Sequence, residues 1–180
     1  MTLAGVLGFP VAHSRSPAMM GAAFRELGLD WRYFKLPVPP QLFAETVRAL
    51  PASGYLGANV TIPHKVAAHY LADELAPAAA AIGAANTLTF RDDRIEADNT
   101  DAAGFLDALG RSPAGARVLV LGAGGAARAV VWALREAGAA AVMVWNRTPE
   151  RAADLARELG VPVDVIEPEP RALLRRLYPR

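Results

Sequence analysis

Hydrophobic and polar positions follow two periods along the chain, short apolar runs typical of strands and longer amphipathic runs typical of helices. They predict the following strands and helices: strands over residues 3–8, 31–38 and 54–61, and helices over 16–28, 39–50, 63–72 and 76–85. The pattern over 87–98 predicts two strands around an Asp92–Asp93 turn, and a helix follows over 101–110.

The second half of the chain has a more regular pattern. Residues 116–138 predict a strand, a glycine turn and a helix, and the next predicted elements are a strand over 140–147, a helix over 149–160 and a strand over 162–167. This alternation favours an α/β fold with a mainly parallel sheet. A new strand–helix unit begins soon after Asp101, so we predict two domains, residues 1–101 and 102–180.

Composition excludes several classes of function. The net charge of +1 argues against a nucleic-acid surface. The absence of cysteine excludes disulfides, thiolate metal sites and cysteine nucleophiles, and it fits a cytoplasmic location. The N-terminus lacks the features of a signal peptide, and the apolar runs are too short to span a membrane. The histidines His13, His64 and His69 lack the spacing of a zinc site, so no metal is predicted.

The glycine turn of the second half has the pattern of a dinucleotide site. Gly122 permits a tight turn after the strand, Gly124 lets a phosphate approach the backbone, and Ala123 lies between them. Gly125 and Ala126 keep the start of the helix close to strand and ligand. Free N–H groups at that helix start favour a pyrophosphate. The alternative is an ordinary structural turn.

The end of the next strand favours NADP over NAD. An NAD site usually has an acidic residue there, which accepts a hydrogen bond from the ribose. This chain has Asn146, Arg147 and Thr148 instead, with Arg151 one helical turn further. A guanidinium at this place would pair with a 2′-phosphate. The alternative for Arg151 is a solvated surface side chain.

Polar clusters border the predicted strands of the first half. The clusters are residues 8–17, 59–65, 84–88 and 98–104. Ligands of open parallel sheets collect beyond the carboxyl ends of strands, so these clusters could share one crevice. Their hydroxyls, amides and opposite charges match a small, polyhydroxylated anion; the side chains concerned are Ser14, Ser16, Asn59, Thr61, Lys65, Asn86, Asn99 and Asp101.

Several of these side chains also have purely structural interpretations. Ser16 is predicted to cap the first helix, which Gly28 would end, and His64 is interpreted as a surface residue early in its helix. Asn86 and Asn99 could form turns, and Asp101 could cap its helix. In the second predicted helix Leu42, Val47 and Leu50 are expected to face the core. The lysine at 65 is the exception, because the chain has 17 arginines and only two lysines, and an ammonium is not replaceable by a guanidinium.

Six motifs in order resemble shikimate dehydrogenase, the NADP-dependent enzyme of aromatic amino-acid biosynthesis. They are GFPVAHSRSP, NVTIPHK, AANT, DNTDAAG, GAGGAARA and NRT, and their order and spacing agree as far as about Ala156. The resemblance implies an N-terminal substrate domain and a Rossmann-type NADP domain. It also implies reversible reduction of 3-dehydroshikimate to shikimate with NADPH.

The resemblance also implies residue roles. Ser14 and Ser16 would bind the substrate carboxylate, and Lys65 would be the catalytic lysine, working with Asp101. Ring hydroxyls would be bound by Thr61, Asn86 and Asp101. The cofactor would be held by the remaining matched positions, Gly122 to Ala126 for the pyrophosphate and Asn146, Arg147 and Thr148 for the adenosine ribose and its 2′-phosphate.

The chain differs from the family at its C-terminal end. Family members continue beyond this length, to complete the nucleotide sheet and return a helix to the substrate domain. Two interpretations of the 180-residue chain follow, an active enzyme and an inactive fragment. A dehydrogenase acting on quinate and a non-catalytic module that binds shikimate-like acids or NADP are further alternatives. Both a monomer and a homodimer fit the sequence.

Overall fold

The computed structural model describes residues 1–160 and 164–166 of the chain, the last three by their backbone alone. The chain divides into two compact units, Met1–Thr100 and Asp101–Arg180. This division falls one residue before the boundary that we placed after Asp101.

The first unit is built on a six-stranded mixed sheet. Its strands are β1 (Thr2–Gly8), β2 (Trp31–Pro37), β3 (Tyr55–Val60), β4 (Glu74–Leu75), β5 (Thr87–Arg91) and β6 (Arg94–Asp98). They are arranged in the order β2-β1-β3-β5-β6-β4. The β1–β2, β1–β3 and β4–β6 pairs are parallel, and β5 is antiparallel to both β3 and β6. The predicted α/β fold is confirmed, although the two-residue strand β4 was not predicted.

Four helices accompany this sheet. They are α1 (Ser16–Glu26), α2 (Phe43–Ala49), α3 (Lys65–Leu71) and α4 (Pro77–Ile82). One face of the sheet carries a core of side chains from β1, β3, β5 and β6 and from the helices α2, α3 and α4, including Leu7, Val60 and Leu88. Alternation along β1 sends Leu7 into this core and Val6 to the opposite face, as a strand period of two requires.

The tight turn between β5 and β6 is formed as the sequence predicted. Asp92 and Asp93 have φ values of 47° and 62°, and two successive left-handed residues are the signature of a hairpin turn that follows the twist of its strands. Aspartate tolerates this conformation better than most residues.

Three local predictions in this unit were wrong. Arg15, not Ser16, occupies the N-cap position of α1, because the chain turns one residue earlier around Ser14. Helix α3 begins at Lys65 rather than Pro63, since residues 61–64 close a turn of their own. Leu42 lies in a short 3₁₀ turn and is 50% exposed, whereas Val47 and Leu50 are buried as predicted. Gly28, with φ of 66°, follows the C-cap of α1 as predicted.

In the second unit strands and helices alternate along the chain. It contains α5 (Asp101–Leu109), β7 (Arg117–Leu121), α6 (Gly125–Glu136), β8 (Ala141–Trp145), α7 (Pro149–Leu159) and β9 (Asp164–Ile166). The three strands form a parallel sheet in the order β7-β8-β9. Its core contains Val131, Val142 and Leu155, which lie on α6, β8 and α7. The rest of the strand predicted over 162–167 lies outside the described residues.

Two glycines allow the packing of the sheet to be tested with the same substitution. A Cβ at Gly57 would lie 2.5 Å from the backbone oxygen of Leu88, whereas a Cβ at Gly104 in α5 would meet no described atom within 4 Å. We expect Gly57→Ala to lower the free energy of unfolding by about 1–3 kcal/mol, because the β3–β5 pair must separate. Gly104→Ala should raise it by about 0.5–1 kcal/mol, through helix propensity. Urea unfolding monitored by circular dichroism measures both, and a stable Gly57→Ala protein would contradict the close β3–β5 approach.

Candidate functional site

The loop after β1 brings two serine hydroxyls together. The backbone N–H of Ser14 donates to the carbonyl of Val11 at 3.0 Å, which closes a turn before α1. The Ser14 hydroxyl donates to the Ser16 hydroxyl at 3.1 Å and accepts from the Ser16 N–H at 3.3 Å. Both serines are half-buried. Two adjacent hydroxyls at the start of a helix can donate to one anionic group, as predicted for a substrate carboxylate.

The loop after β3 lies directly beside the end of β1. The N–H of Thr61 donates to the carbonyl of Leu7 at 2.8 Å, and the N–H of Phe9 donates to the carbonyl of Ile62 at 3.0 Å. Because β1 and β3 are parallel neighbours, their carboxyl ends deliver both loops to one edge of the sheet. The structure thus gathers the serine loop and the Thr61–Lys65 segment, which are far apart in sequence.

The interpretation of His64 as a surface residue was wrong. Its side chain is 2% exposed and stacks on the ring of Phe43, with ring centroids 4.4 Å apart. Its Nε2 lies 2.7 Å from the carbonyl oxygen of Val38, so the neutral imidazole carries its proton there and donates it. Burial lowers the pKa of His64, and the hydrogen bond to Val38 opposes this in part. This contact connects the segment before Lys65 to the end of β2. The sequence motif around His64 did not predict it.

Asn86 and Asn99 connect the remaining two motifs of the first unit. The N–H of Asn86 donates to the carbonyl of Asp98 at 3.0 Å, and the buried Asn99 carboxamide donates to the carbonyl of Ala84 at 2.8 Å. The carbonyl of Lys65 in turn accepts from the N–H of Ala85 at 2.8 Å. Asn86 is therefore fixed at the same edge as Thr61 and Lys65.

The glycine turn follows β7 in the second unit. Gly122 has φ of 118°, which favours glycine, and its N–H donates to the carbonyl of Trp145 at 2.7 Å. Gly124 precedes α6 as its N-cap, with φ of −90°, a conformation open to any residue. No described atom lies within 4 Å of a Cβ built at Gly124. The protein itself gives no reason for glycine there, whereas a phosphate approaching the backbone does, so the turn fits a dinucleotide.

A cavity of about 400 Å³ lies between this turn and the end of β8. It is lined by Leu121, Gly122, Trp145, Asn146, Arg147, Thr148 and Arg151. Among residues 1–160 neither Arg147 nor Arg151 forms an ion pair with a carboxylate. Both guanidinium groups are exposed, and their charge suits a phosphate. The sequence did not single out Trp145, although an aromatic residue at a strand end was a usable signal.

Asp101 is the first residue of α5 and is half-buried. It is the one predicted substrate or catalytic residue that belongs to the second unit. Within the described part of the chain no group of three or more His, Asp or Glu side chains could hold a metal ion. None of the described helices has the length and apolar character needed to cross a membrane.

The parallel sheet, the glycine turn and the basic residues after β8 define the second unit as a Rossmann-type nucleotide-binding unit. Two family models match the chain: the shikimate dehydrogenase substrate binding domain over residues 6–88 and shikimate/quinate 5-dehydrogenase over residues 107–169. The chain belongs to the shikimate dehydrogenase family.

Known relatives support this assignment. The chain is 49% identical over 176 residues to the shikimate dehydrogenase (NADP⁺) of Paramagnetospirillum magneticum, covering 94% of this chain and 64% of the relative. The Thermus thermophilus shikimate 5-dehydrogenase in complex with NADP(H) and shikimate is 45% identical, with a TM-score of 0.81 over 93% of this chain and 63% of that one.

A 5-ketofructose reductase from Gluconobacter is also similar, with a TM-score of 0.80 and 36% identity over 93% of this chain and 63% of that one. The chain spans between 54% and 64% of the length of the curated relatives that it matches here.

The buried His64 makes a prediction about pH. Its folded pKa lies below the unfolded value of 6.5, so the unfolded chain binds more protons near that pH. The stabilisation is fully present above the unfolded pKa and is lost as the pH falls through it. We therefore expect the free energy of unfolding to fall more steeply between pH 8 and 5.5 in the unmodified chain than in His64→Phe.

Urea unfolding at several pH values measures this difference, because the other titrating groups are common to both proteins. His64→Phe keeps a ring for stacking on Phe43 but leaves the Val38 carbonyl without its donor, so it should also be less stable at pH 8. Parallel pH profiles for the two proteins would show that His64 is not held neutral.

Proposed function

We propose that this chain carries the active-site residues of a shikimate dehydrogenase, which reversibly reduces 3-dehydroshikimate to shikimate with NADPH. The observation that carries the proposal is the convergence of Ser14, Ser16, Thr61, Lys65 and Asn86 at one edge of the first sheet. The Rossmann-type unit supports NADP as the cofactor, because Arg147 and Arg151 form no ion pair with any residue of 1–160. The names of the relatives agree with both statements.

Binding of the substrate follows from the chemistry of these side chains. Ser14 and Ser16 donate to the carboxylate, and Thr61, Asn86 and Asp101 hydrogen-bond the ring hydroxyls. A nicotinamide bound in the second unit would supply the hydride. When a hydride arrives at the carbonyl carbon, its oxygen gains negative charge and takes up a proton. Lys65 stabilises this charge, Asp101 holds and polarises Lys65, and one of the pair provides the proton; in the reverse direction the pair accepts it.

Different groups of residues are proposed to bind different parts of NADP. The backbone of Gly122 to Ala126 holds the pyrophosphate at the start of α6, as N–H groups of a first helical turn do. Asn146, Arg147, Thr148 and Arg151 would surround the adenosine ribose, and Arg147 would bind the 2′-phosphate. The Asn146 carboxamide already donates to the carbonyl of Thr148 at 2.8 Å, which fixes the shape of this segment.

Another substrate is the second candidate function. The structural similarity to a 5-ketofructose reductase favours it, because the name of that protein gives a different polyhydroxylated ketone as its substrate. Quinate is a further alternative, which the second family model includes in its description. The third candidate is a module that binds shikimate-like acids or NADP without turnover.

One experiment separates these candidates. NADP⁺ reduction is followed at 340 nm with three substrates: shikimate, quinate and the reduced form of 5-ketofructose. Calorimetry measures the binding of each compound. Turnover with shikimate alone supports the first proposal. Preference for another polyol supports the second, and binding without turnover supports the third.

The role of Lys65 predicts a specific kinetic change. Lys65→Met should lower kcat by about 10²–10⁴-fold, with a smaller change in KM, because the charge on the carbonyl oxygen develops mainly in the transition state. Lys35→Met makes the same chemical change at the other lysine and should leave kcat near its original value. If Lys65→Met retains nearly full kcat, Lys65 has no part in the chemistry.

The role of Arg147 predicts a change in cofactor preference that does not depend on turnover. Arg147→Ala should weaken NADPH binding by about 10- to 100-fold, the effect of losing a charge-assisted hydrogen bond, and leave NADH binding nearly unchanged. Nucleotide fluorescence titration measures both. Arg157→Ala, an exposed arginine later on α7, is the matched control. Equal losses for the two cofactors would refute the phosphate contact.

A further inference from the structure

A line of side-chain hydrogen bonds crosses the first sheet on the face opposite its main core. It begins at Tyr33 on β2, whose phenol donates to the Asn59 carboxamide oxygen on β3 at 2.6 Å. Since β1 lies between these two strands, the tyrosine side chain reaches over a neighbour to make this bond. The ring of Phe24 on α1 lies 6.4 Å from that of Tyr33 and holds it in place.

The line continues onto β5. The Asn59 carboxamide nitrogen donates to the Thr87 hydroxyl at 3.3 Å and to the Asn86 carbonyl at 3.4 Å. The Thr87 hydroxyl then donates to the carboxamide oxygen of Asn86 at 3.0 Å. At the far end, the Asn86 carboxamide makes two contacts with Thr100. Its oxygen accepts from the Thr100 N–H at 3.0 Å, and the carboxamide nitrogen donates to the Thr100 hydroxyl at 2.9 Å. We call Tyr33, Asn59, Thr87 and Asn86 the polar ladder.

Two backbone groups fix the direction of every donor in the polar ladder. The Asn86 carbonyl can only accept, so the Asn59 nitrogen must face it and the Asn59 oxygen must face Tyr33. The Thr100 N–H can only donate, so the Asn86 oxygen must face it. Tyr33 therefore has to act as a donor, and a reversed carboxamide at either asparagine would place like groups together.

Tyr33 is suited to this role at any working pH. Its side chain is half-buried, and burial raises its pKa to about 12. The phenol therefore stays protonated and can donate to Asn59. An exposed hydroxyl would instead exchange its hydrogen bonds among water molecules. A hydrogen bond to a half-buried partner is also held more firmly than one in water.

We propose that Tyr33 is a positioning residue for the substrate, which acts through Asn59 and Thr87 and adds to the direct contact from the Thr100 N–H in holding the Asn86 carboxamide in the orientation that receives a ring hydroxyl. The proposal rests on the proposed function for the role of Asn86 but not for the polar ladder itself. Tyr33 and Thr87 are not among the residues that the sequence motifs assign to the substrate. The fold brings them into line from β2 and β5.

The first test needs no activity. Tyr33→Phe removes one hydroxyl and keeps the ring, and Tyr70→Phe makes the same change at a tyrosine that is 76% exposed. We expect the side-chain amide resonances of Asn59 and Asn86 to shift in ¹H–¹⁵N spectra of Tyr33→Phe and to stay in place in Tyr70→Phe. Unchanged Asn86 resonances in Tyr33→Phe would overturn the proposal.

The second test uses shikimate as the probe. Tyr33→Phe should raise the dissociation constant, and the KM where turnover is measured, by about 3- to 10-fold, the effect of one weakened hydrogen bond. The kcat should change less than the KM, because Tyr33 is proposed to act on substrate binding through Asn86. Loss of stability without a change in shikimate affinity would overturn the positioning role.

A double variant decides whether the effect passes along the polar ladder. Thr87→Val interrupts it midway, so adding Tyr33→Phe to Thr87→Val should weaken shikimate binding no further. Fully additive losses would overturn the proposal. If the unmodified chain binds no shikimate, the proposed function fails, and the amide spectra alone still confirm or overturn the coupling between Tyr33 and Asn86.

Discussion

The parallel pairing of β1 with β3 is the constraint on which the candidate site depends. Parallel neighbours end at the same edge of a sheet, so the serine loop and the Thr61–Lys65 segment emerge side by side. Cross-loop backbone hydrogen bonds from Thr61 to Leu7 and from Phe9 to Ile62 then hold them there. Antiparallel β5 starts at this same edge, which adds Asn86. A one-residue slip of β3 would turn every one of its side chains to the opposite face.

The residues of the proposed site are divided between the two units. The first unit supplies Ser14, Ser16, Thr61, Lys65 and Asn86, whereas the glycine turn and the segment after β8 belong to the second. Asp101 opens the second unit and is the one acidic group in the proposed catalytic pair. All proposed cofactor-binding residues belong to the second unit, and all proposed substrate-binding residues except Asp101 belong to the first.

Neutral buried groups support the charged ones. His64 is buried as a neutral imidazole that anchors the start of α3, and it lies directly before Lys65. In the polar ladder, the half-buried Tyr33, Asn59 and Thr87 are linked to Asn86 through uncharged donors and acceptors alone. Neutral hydrogen bonds fix direction at a modest desolvation cost, whereas a buried charge would cost far more.

The sequence by itself determined the α/β class, the hairpin at Asp92–Asp93, the glycine turn and the basic segment after β8, because each depends on local propensity or on residues close together in the chain. It also indicated the family, because the order and spacing of the six motifs can be read from the sequence alone. The tertiary structure alone decided that His64 is buried, that Arg15 rather than Ser16 precedes α1, and that Tyr33 reaches Asn59. Burial and cross-strand contacts depend on which distant strands become neighbours, and no local pattern encodes that order.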